Sequence, residues 1–137
     1  MRLIADLQVH SRFSRATSKQ LNLENLEKYA KIKGLGLLGT GDITHPEWLK
    51  ELKAGLKEDG TGILKSSSGF NFILQGEISN IYTQDGKARR IHNLILAKNF
   101  DIAEQIQEAL KKKGRKRSKT FTWKNYYNEM ITALSAA

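Results

Sequence analysis

The sequence contains no cysteine. That excludes disulfides and thiolate metal sites together, so any bound metal has to rest on His, Asp and Glu, a donor set suited to a hydrolytic centre rather than a zinc finger. There is no apolar run near the ~18 residues that would suggest a membrane span. Met1-Arg2-Leu3-Ile4-Ala5 meets Asp6 too early for a signal peptide. A cytoplasmic protein with no membrane partner is the expectation. A third scarcity is local: residues 111–137 carry a single acidic residue, Glu129, against eight Lys and Arg.

What is present is the composition of an ordinary globular chain, with 137 residues, 39% of them apolar and 27% charged, enough for one domain. The net charge of +9 raises the question of a nucleic-acid partner, and its location matters more than its size. Residues 1–110 hold 15 Lys and Arg against 13 Asp and Glu, so the basicity belongs to the tail. Such a tail either binds phosphates without specificity or is a solvated charge run.

Leu3 to His10 reads as a first strand, with Leu3, Ala5, Leu7 and Val9 alternating against Ile4, Asp6, Gln8 and His10. Asn22 can cap a helix over Leu23 to Lys33, with Leu23, Leu26, Tyr29 and Ala30 on one stripe and Gly34 closing it. Leu35 to Leu38 follows as a short strand buried on both faces, which makes strand, helix, strand the start of a parallel α/β unit. Thr44-His45-Pro46-Glu47 reads as a capping box opening a helix whose Trp48, Leu49, Leu52 and Leu56 share a face. Gly60 to Gly69 is a Gly/Ser-rich loop. Phe70 to Tyr82 and Ile91 to Lys98 are two strands joined at Gln84-Asp85-Gly86-Lys87, a β-hairpin. Asn99 starts a third helix with Ile102, Ala103, Ile106, Ala109 and Leu110 at helical spacing and Gly114 as its stop. From Arg115 the character turns basic and aromatic, so residues 1–114 read as the domain and 115–137 as a tail, either a short helix, an unstructured segment, or a stretch foreign to the fold such as a frameshift product.

Asp6, Gln8 and His10 sit at i, i+2 and i+4 and so project from one face at the end of the first strand. Asp42, Glu77 and His92 each follow or interrupt a later apolar run. Carboxylates and imidazoles spread over several strands are what a site for two or three cations needs, since a carboxylate can bridge two of them. Singly, each has an ordinary alternative: a strand-end His as a structural residue, an Asp before a helix as a cap.

Asp6-Leu7-Gln8-Val9-His10-Ser11 resembles the first motif of the PHP (polymerase and histidinol phosphatase) family, Asp-x-His-x-His-Ser. Arg12-Phe13-Ser14-Arg15-Ala16-Thr17-Ser18-Lys19 and Gly39-Thr40-Gly41-Asp42-Ile43-Thr44-His45-Pro46 are similar to the endonuclease Q branch, and the resemblance spans about residues 3–113. It implies an α/β fold, the N-terminal part of a distorted seven-stranded (β/α) barrel, with divalent cations (zinc, manganese or magnesium) as cofactors. His10, Asp42, Glu77 and His92 would be metal ligands, Glu77 bridging, with Asp6 orienting the first-strand imidazole. Arg12 and Arg15 would bind substrate phosphate or lie solvated, and His45 would hold the start of its helix. DNA is the implied partner, with a helicase-like protein or the remainder of a barrel as further candidates.

Two departures limit the inheritance. Gln8 stands where the family has His, and an amide oxygen is the weaker ligand. No His follows His92, whereas the family carries a further His and an Asp-x-His pair in later strands. Three readings follow: a piece of a metal-dependent endonuclease acting on damaged or deaminated DNA, a catalytically inactive PHP module that binds nucleic acid or regulates, and a small phosphate monoesterase. The Gly39-Thr40-Gly41-Asp42 form of the second motif speaks against the third, which usually has Thr-Asp-His there. The sequence leaves the oligomeric state open.

Overall fold

In the computed structural model, which describes residues 3–116 with side chains through Lys112, the first strand is much shorter than its alternation promises. Strand β1 is Ala5–Asp6 alone. It pairs in parallel with β2, Leu37–Gly39, at Ala5↔Leu37 and Asp6↔Leu38. Because β2 is so short, Leu7 to His10 runs past its ladder, and the Val9 N–H reaches a side-chain oxygen of Gln75 (3.5 Å) instead of a strand carbonyl.

Helix α1, Leu23–Ile32, joins the two strands as expected. Asn22 caps it by accepting from the Asn25 N–H at 2.9 Å, and Gly34 follows in the left-handed region at φ +72°. Leu26 and Ala30 are buried, whereas Tyr29, expected in the same stripe, is exposed, since the short strands beneath α1 cover only part of that face.

Helix α2, Pro46–Gly55, begins one residue later than a Thr44 cap requires. His45 is the N-cap and makes no side-chain cap bond. Its ring is stacked on Phe13, centroids 4.3 Å apart, which occupies it away from the helix N–H groups. Trp48, Leu49 and Leu52 are buried as expected, but Leu56 leaves the helix and opens β3, Leu56–Glu58. The Gly/Ser-rich loop conceals a further strand, β4, Leu64–Ser66. β4 pairs antiparallel with β3 and with β5, and Leu64 is wholly buried. Three residues between turns are too few to show a period, so only the apolar pair Ile63-Leu64 marked it.

The expected hairpin is formed and is longer than expected. β5, Asn71–Gln84, and β6, Lys87–Ala97, are joined by Asp85-Gly86 with φ of +52° and +70°, the two left-handed residues of a type I′ turn. Helix α3, Phe100–Lys116, is capped by Asn99, which accepts from the Ile102 N–H at 2.9 Å. It runs through Gly114 rather than stopping there, an interruption of about 1 kcal/mol that the surrounding helix formers absorb. Ala109 is exposed, and Gln107 is buried instead, donating to the Thr44 carbonyl at 3.2 Å. Apart from Arg115 and Lys116 in α3, the basic, aromatic tail lies outside the described residues.

The strand order is β1-β2-β5-β4-β3, with β6 also on β5. β1, β2 and β5 are mutually parallel, and β3, β4 and β6 are added antiparallel, so the described residues form an open six-stranded α/β sheet. Trp48, Phe72, Ile43, Leu52, Leu64 and Leu74 are the largest fully buried apolar side chains of its core. Among the described residues no helix is long and apolar enough to cross a membrane.

Candidate metal centre

The parallel strands β1 and β2 deliver their chains to one end of the sheet, where His10 and Asp42 meet. Gly41 and Asp42 both adopt left-handed backbone, φ +69° and +47°. A Cβ on Gly41 would lie 2.9 Å from the Val9 carbonyl oxygen, so only glycine lets the two segments approach. Asp42 is one of the few residue types that tolerate such a backbone, at a cost on the order of 1 kcal/mol.

That turn aims the Asp42 carboxylate at the first loop. Oδ2 accepts from the Ser11 N–H (2.7 Å) and the Ser11 hydroxyl (2.6 Å). Oδ1 accepts from the Ser14 hydroxyl (2.9 Å) and faces His10 Nδ1 at 3.3 Å. Burial pushes the Asp42 carboxyl up, but the bonds from Ser11, Ser14 and His10 outweigh it and hold it below the usual carboxylate range.

The turn is held from behind. Trp48 Nε1 donates to the carbonyls of Thr40 (3.0 Å) and Gly41 (2.8 Å). Gln75, fully buried, accepts from the Gly41 N–H through Oε1 (3.1 Å), and its own N–H donates to the Thr40 hydroxyl (3.1 Å).

Two residues on from Gln75, Glu77 projects from the same face of β5 and lies between two imidazoles. Its Oε1 is hydrogen-bonded to His92 Nδ1, and its Oε2 lies 4.0 Å from His10 Nε2. Gln8 Nε2 also donates to Oε2, at 2.9 Å. The bond from His92, then that from Gln8, hold the Glu77 carboxyl below its ordinary range against a burial effect of opposite sign. Glu77 and Asp42 are only 13% and 15% exposed, whereas His10 and His92 are 44% and 47% exposed, so the carboxylates form the floor and the imidazoles the rim.

His10, Asp42, Glu77, His92 and Gln8 are thus brought together from four chain segments. The contacts run in series, Asp42 to His10 to Glu77 to His92. Among the described residues no three His, Asp or Glu side chains surround one point closely enough to hold a cation as they stand. The Asp6 carboxylate accepts from the Gln8 N–H at 3.2 Å. Arg12 is paired with Glu51 of α2 and lies over the Phe13 ring, its Cζ 5.3 Å from the centroid, and Arg15 is exposed. Sequence reasoning missed the parts of Ser11, Ser14 and Gln75. Ser11 stood inside the first motif, and Gln75 was signalled only by its place two residues before Glu77.

Comparison with known proteins places these features. No protein-family profile matches the chain. It is 40% identical over 107 residues to an uncharacterized protein of Methanocaldococcus jannaschii, covering 78% of this chain and 11% of that one. Two solved structures are similar: the lesion-specific endonuclease EndoQ of Pyrococcus furiosus (TM-score 0.66, 30% identity, 80% of this chain and 25% of that one) and an Endonuclease Q complex with a 27-mer duplex substrate carrying an abasic lesion at the active site (TM-score 0.64, 33% identity, 77% and 25%). The chain therefore spans about a tenth of the curated relative and a quarter of the two endonuclease chains. Over that stretch it shares both sequence and α/β fold with a lesion-specific endonuclease.

Proposed function

We propose that this chain is the first part of a PHP-type barrel and carries part of a divalent-cation site for hydrolysing a phosphodiester of damaged DNA. The observation that carries the reading is Glu77 set between His10 and His92, with Asp42 behind His10. Likeness to Endonuclease Q over four-fifths of the chain supports the substrate class.

The donor set fits a borderline cation. His10 Nε2 and Glu77 Oε2 are 4.0 Å apart, about 0.6 Å more than the ~3.4 Å between two ligands of a tetrahedral ion with bonds near 2.1 Å, so the pair would have to draw together to share one. Imidazole nitrogen beside carboxylate suits zinc or manganese better than magnesium, which prefers oxygen throughout. Such a cation supplies a water of lowered pKa and stabilises charge developing on the phosphate.

The residues of the chain divide the work. A proton on His10 Nδ1 donated to Asp42 leaves Nε2 with its lone pair toward Glu77, so Asp42 fixes tautomer and ring orientation. With its oxygens filled by Ser11, Ser14 and His10, Asp42 takes the orienting part that the motif alone gave to Asp6. Glu77 turns one oxygen to each imidazole, the disposition of a bridging carboxylate. Arg12, engaged with Glu51, serves the loop, and the exposed Arg15 is left to meet a phosphate.

A second reading, an inactive module, is favoured by one contact. The Gln8 amide donates to the same Glu77 oxygen that faces His10, and so competes with a cation for it. Titration of the full chain with manganese and with zinc tests both readings. Binding should weaken at least tenfold in Glu77→Gln and in His10→Ala, and should strengthen in Gln8→His. Equal affinity in all four proteins would end the metal assignment, and strengthening in Gln8→His alone would favour the module.

A further inference from the structure

We propose that the outer half of the β5–β6 hairpin, Ser79 to His92, is an arm that lies along a nucleic-acid backbone next to the candidate site, with Arg90 on the phosphate beside the one that faces His92. The inference rests on the reading of the site as one for a DNA phosphodiester, and adds the surface and residues that would hold the strand.

β5 pairs with β2 only at residues 71–73 and with β4 only at 71–72, whereas its pairing with β6 runs on from Leu74 to Gln84. Beyond the sheet the hairpin is thus a two-stranded ribbon, an arrangement with little stability of its own; Ser79 and Ile81, on the face of Glu77, are exposed, whereas Asn80 on the other face is buried. Its register fixes what each face shows. Opposed residues share a face in an antiparallel pair, so Glu77↔Leu94, Ser79↔His92 and Ile81↔Arg90 form one continuous row. Arg90 is therefore on the face of Glu77 and His92, one two-residue step from His92, roughly 7 Å along the strand. That step is comparable to the distance between neighbouring phosphates of one nucleic-acid strand.

Charge points to the same occupant. Between Ser79 and His92 the arm carries Lys87, Arg89 and Arg90 against Asp85 alone, and all three cations are exposed. Among the described residues none of the three is in an ion pair, in contrast to Arg12, Lys31 and Lys53, which have carboxylate partners. Ile81, directly opposite Arg90 on the face of Glu77, is 55% exposed and leaves apolar surface for a sugar there, while Lys87, Arg89 and Ile91 alternate onto the other face. An exposed, unpaired Arg90 beside exposed Ile81, in line with His92, suits a phosphate and its sugar, and the cations at the tip add to the attraction of a nucleic-acid strand.

The test is binding of the full chain to a fluorescent duplex with one abasic site, followed by anisotropy with a chelator present at 50 to 200 mM salt. Arg90→Gln should weaken binding about fivefold at the middle of that range and flatten the slope of log K against log salt by about 1, for the one phosphate that the variant no longer neutralises. Lys111→Gln, which removes the same charge from α3, should do less on both measures, and circular dichroism checks that both variants fold. Equal losses in the two variants, or none in the hairpin variant, overturn the arm. With the chelator present the result is independent of cation binding. Loss of the metal assignment with a specific hairpin effect leaves the arm standing, and the reverse pattern removes the arm alone.

Discussion

Replacing Gln75 by leucine is the sharpest probe of how the fold holds Asp42. The side chain is fully buried, and its Oε1 accepts from the Gly41 N–H at 3.1 Å; the Val9 N–H at 3.5 Å is too long to add much. Leucine keeps the volume and deletes the acceptor, stranding the buried Gly41 N–H at a cost of about 1–3 kcal/mol. Gln75 Nε2 is itself buried with no partner among the described residues, so its removal offsets part of that loss. The net expectation is a destabilisation of about 1–2 kcal/mol by urea unfolding, near the lower end of the range for a stranded donor. A local reading makes a further demand. The Gly41 amide should exchange with solvent faster, about tenfold for each 1.4 kcal/mol by which its opening is eased, and amides of α3 should not follow beyond the global change. An unchanged midpoint together with unchanged exchange at Gly41 would refute the idea that Gln75 clamps this turn.

Gly41→Ala should be worse, by about 2 kcal/mol or more, because the new Cβ meets the backbone Val9 oxygen at 2.9 Å in addition to the left-handed φ; a urea midpoint within error of the parent would show that the two segments can separate freely. Glu27 tests an electrostatic contact far from the site. Burial raises its pKa, but the hydrogen bonds from Lys31 and Ser68 outweigh that and leave the folded value below the ordinary one. With the folded pKa depressed, the contribution is complete above the unfolded pKa near 4.3 and is lost as pH falls through the folded value. Glu27→Gln should therefore lower stability at pH 7 by an amount that shrinks as pH falls through the depressed folded value, and a difference that stays constant on acidification would contradict this.

The elements were legible where a local signal repeats or is chemically explicit. Asn22, Asn99 and the Asp85-Gly86 pair each named a cap or turn that the backbone adopts. What escaped was set by tertiary partners. The alternation of Leu3 to His10 is real, but a strand is defined by its neighbour, and β2 offers only three residues. Thr44 lost the cap position to His45 because the Phe13 ring draws the imidazole into a stack. Leu64 had no period to announce it, and its burial depends on pairing with Phe72, eight residues on.

At the site, residue types could be read but their division of labour could not. A motif fixes order along the chain, and the part played by a carboxylate depends on which donors reach it. Asp6 lies nearest to His10 in sequence, yet it is turned to its own backbone at Gln8, while Asp42, 32 residues from His10, is delivered to the imidazole by two successive left-handed residues. That delivery requires Gly41 to lack a Cβ, Trp48 and Gln75 to hold the turn from behind, and Ser11 and Ser14 to receive the carboxylate in front. The backbone strain at Asp42 is therefore tied to the geometry of the proposed site. It is the conformational cost of placing one charge behind His10 so that the other ring nitrogen is left facing Glu77, and a relaxed turn at this point would keep every residue of the motif and lose their convergence.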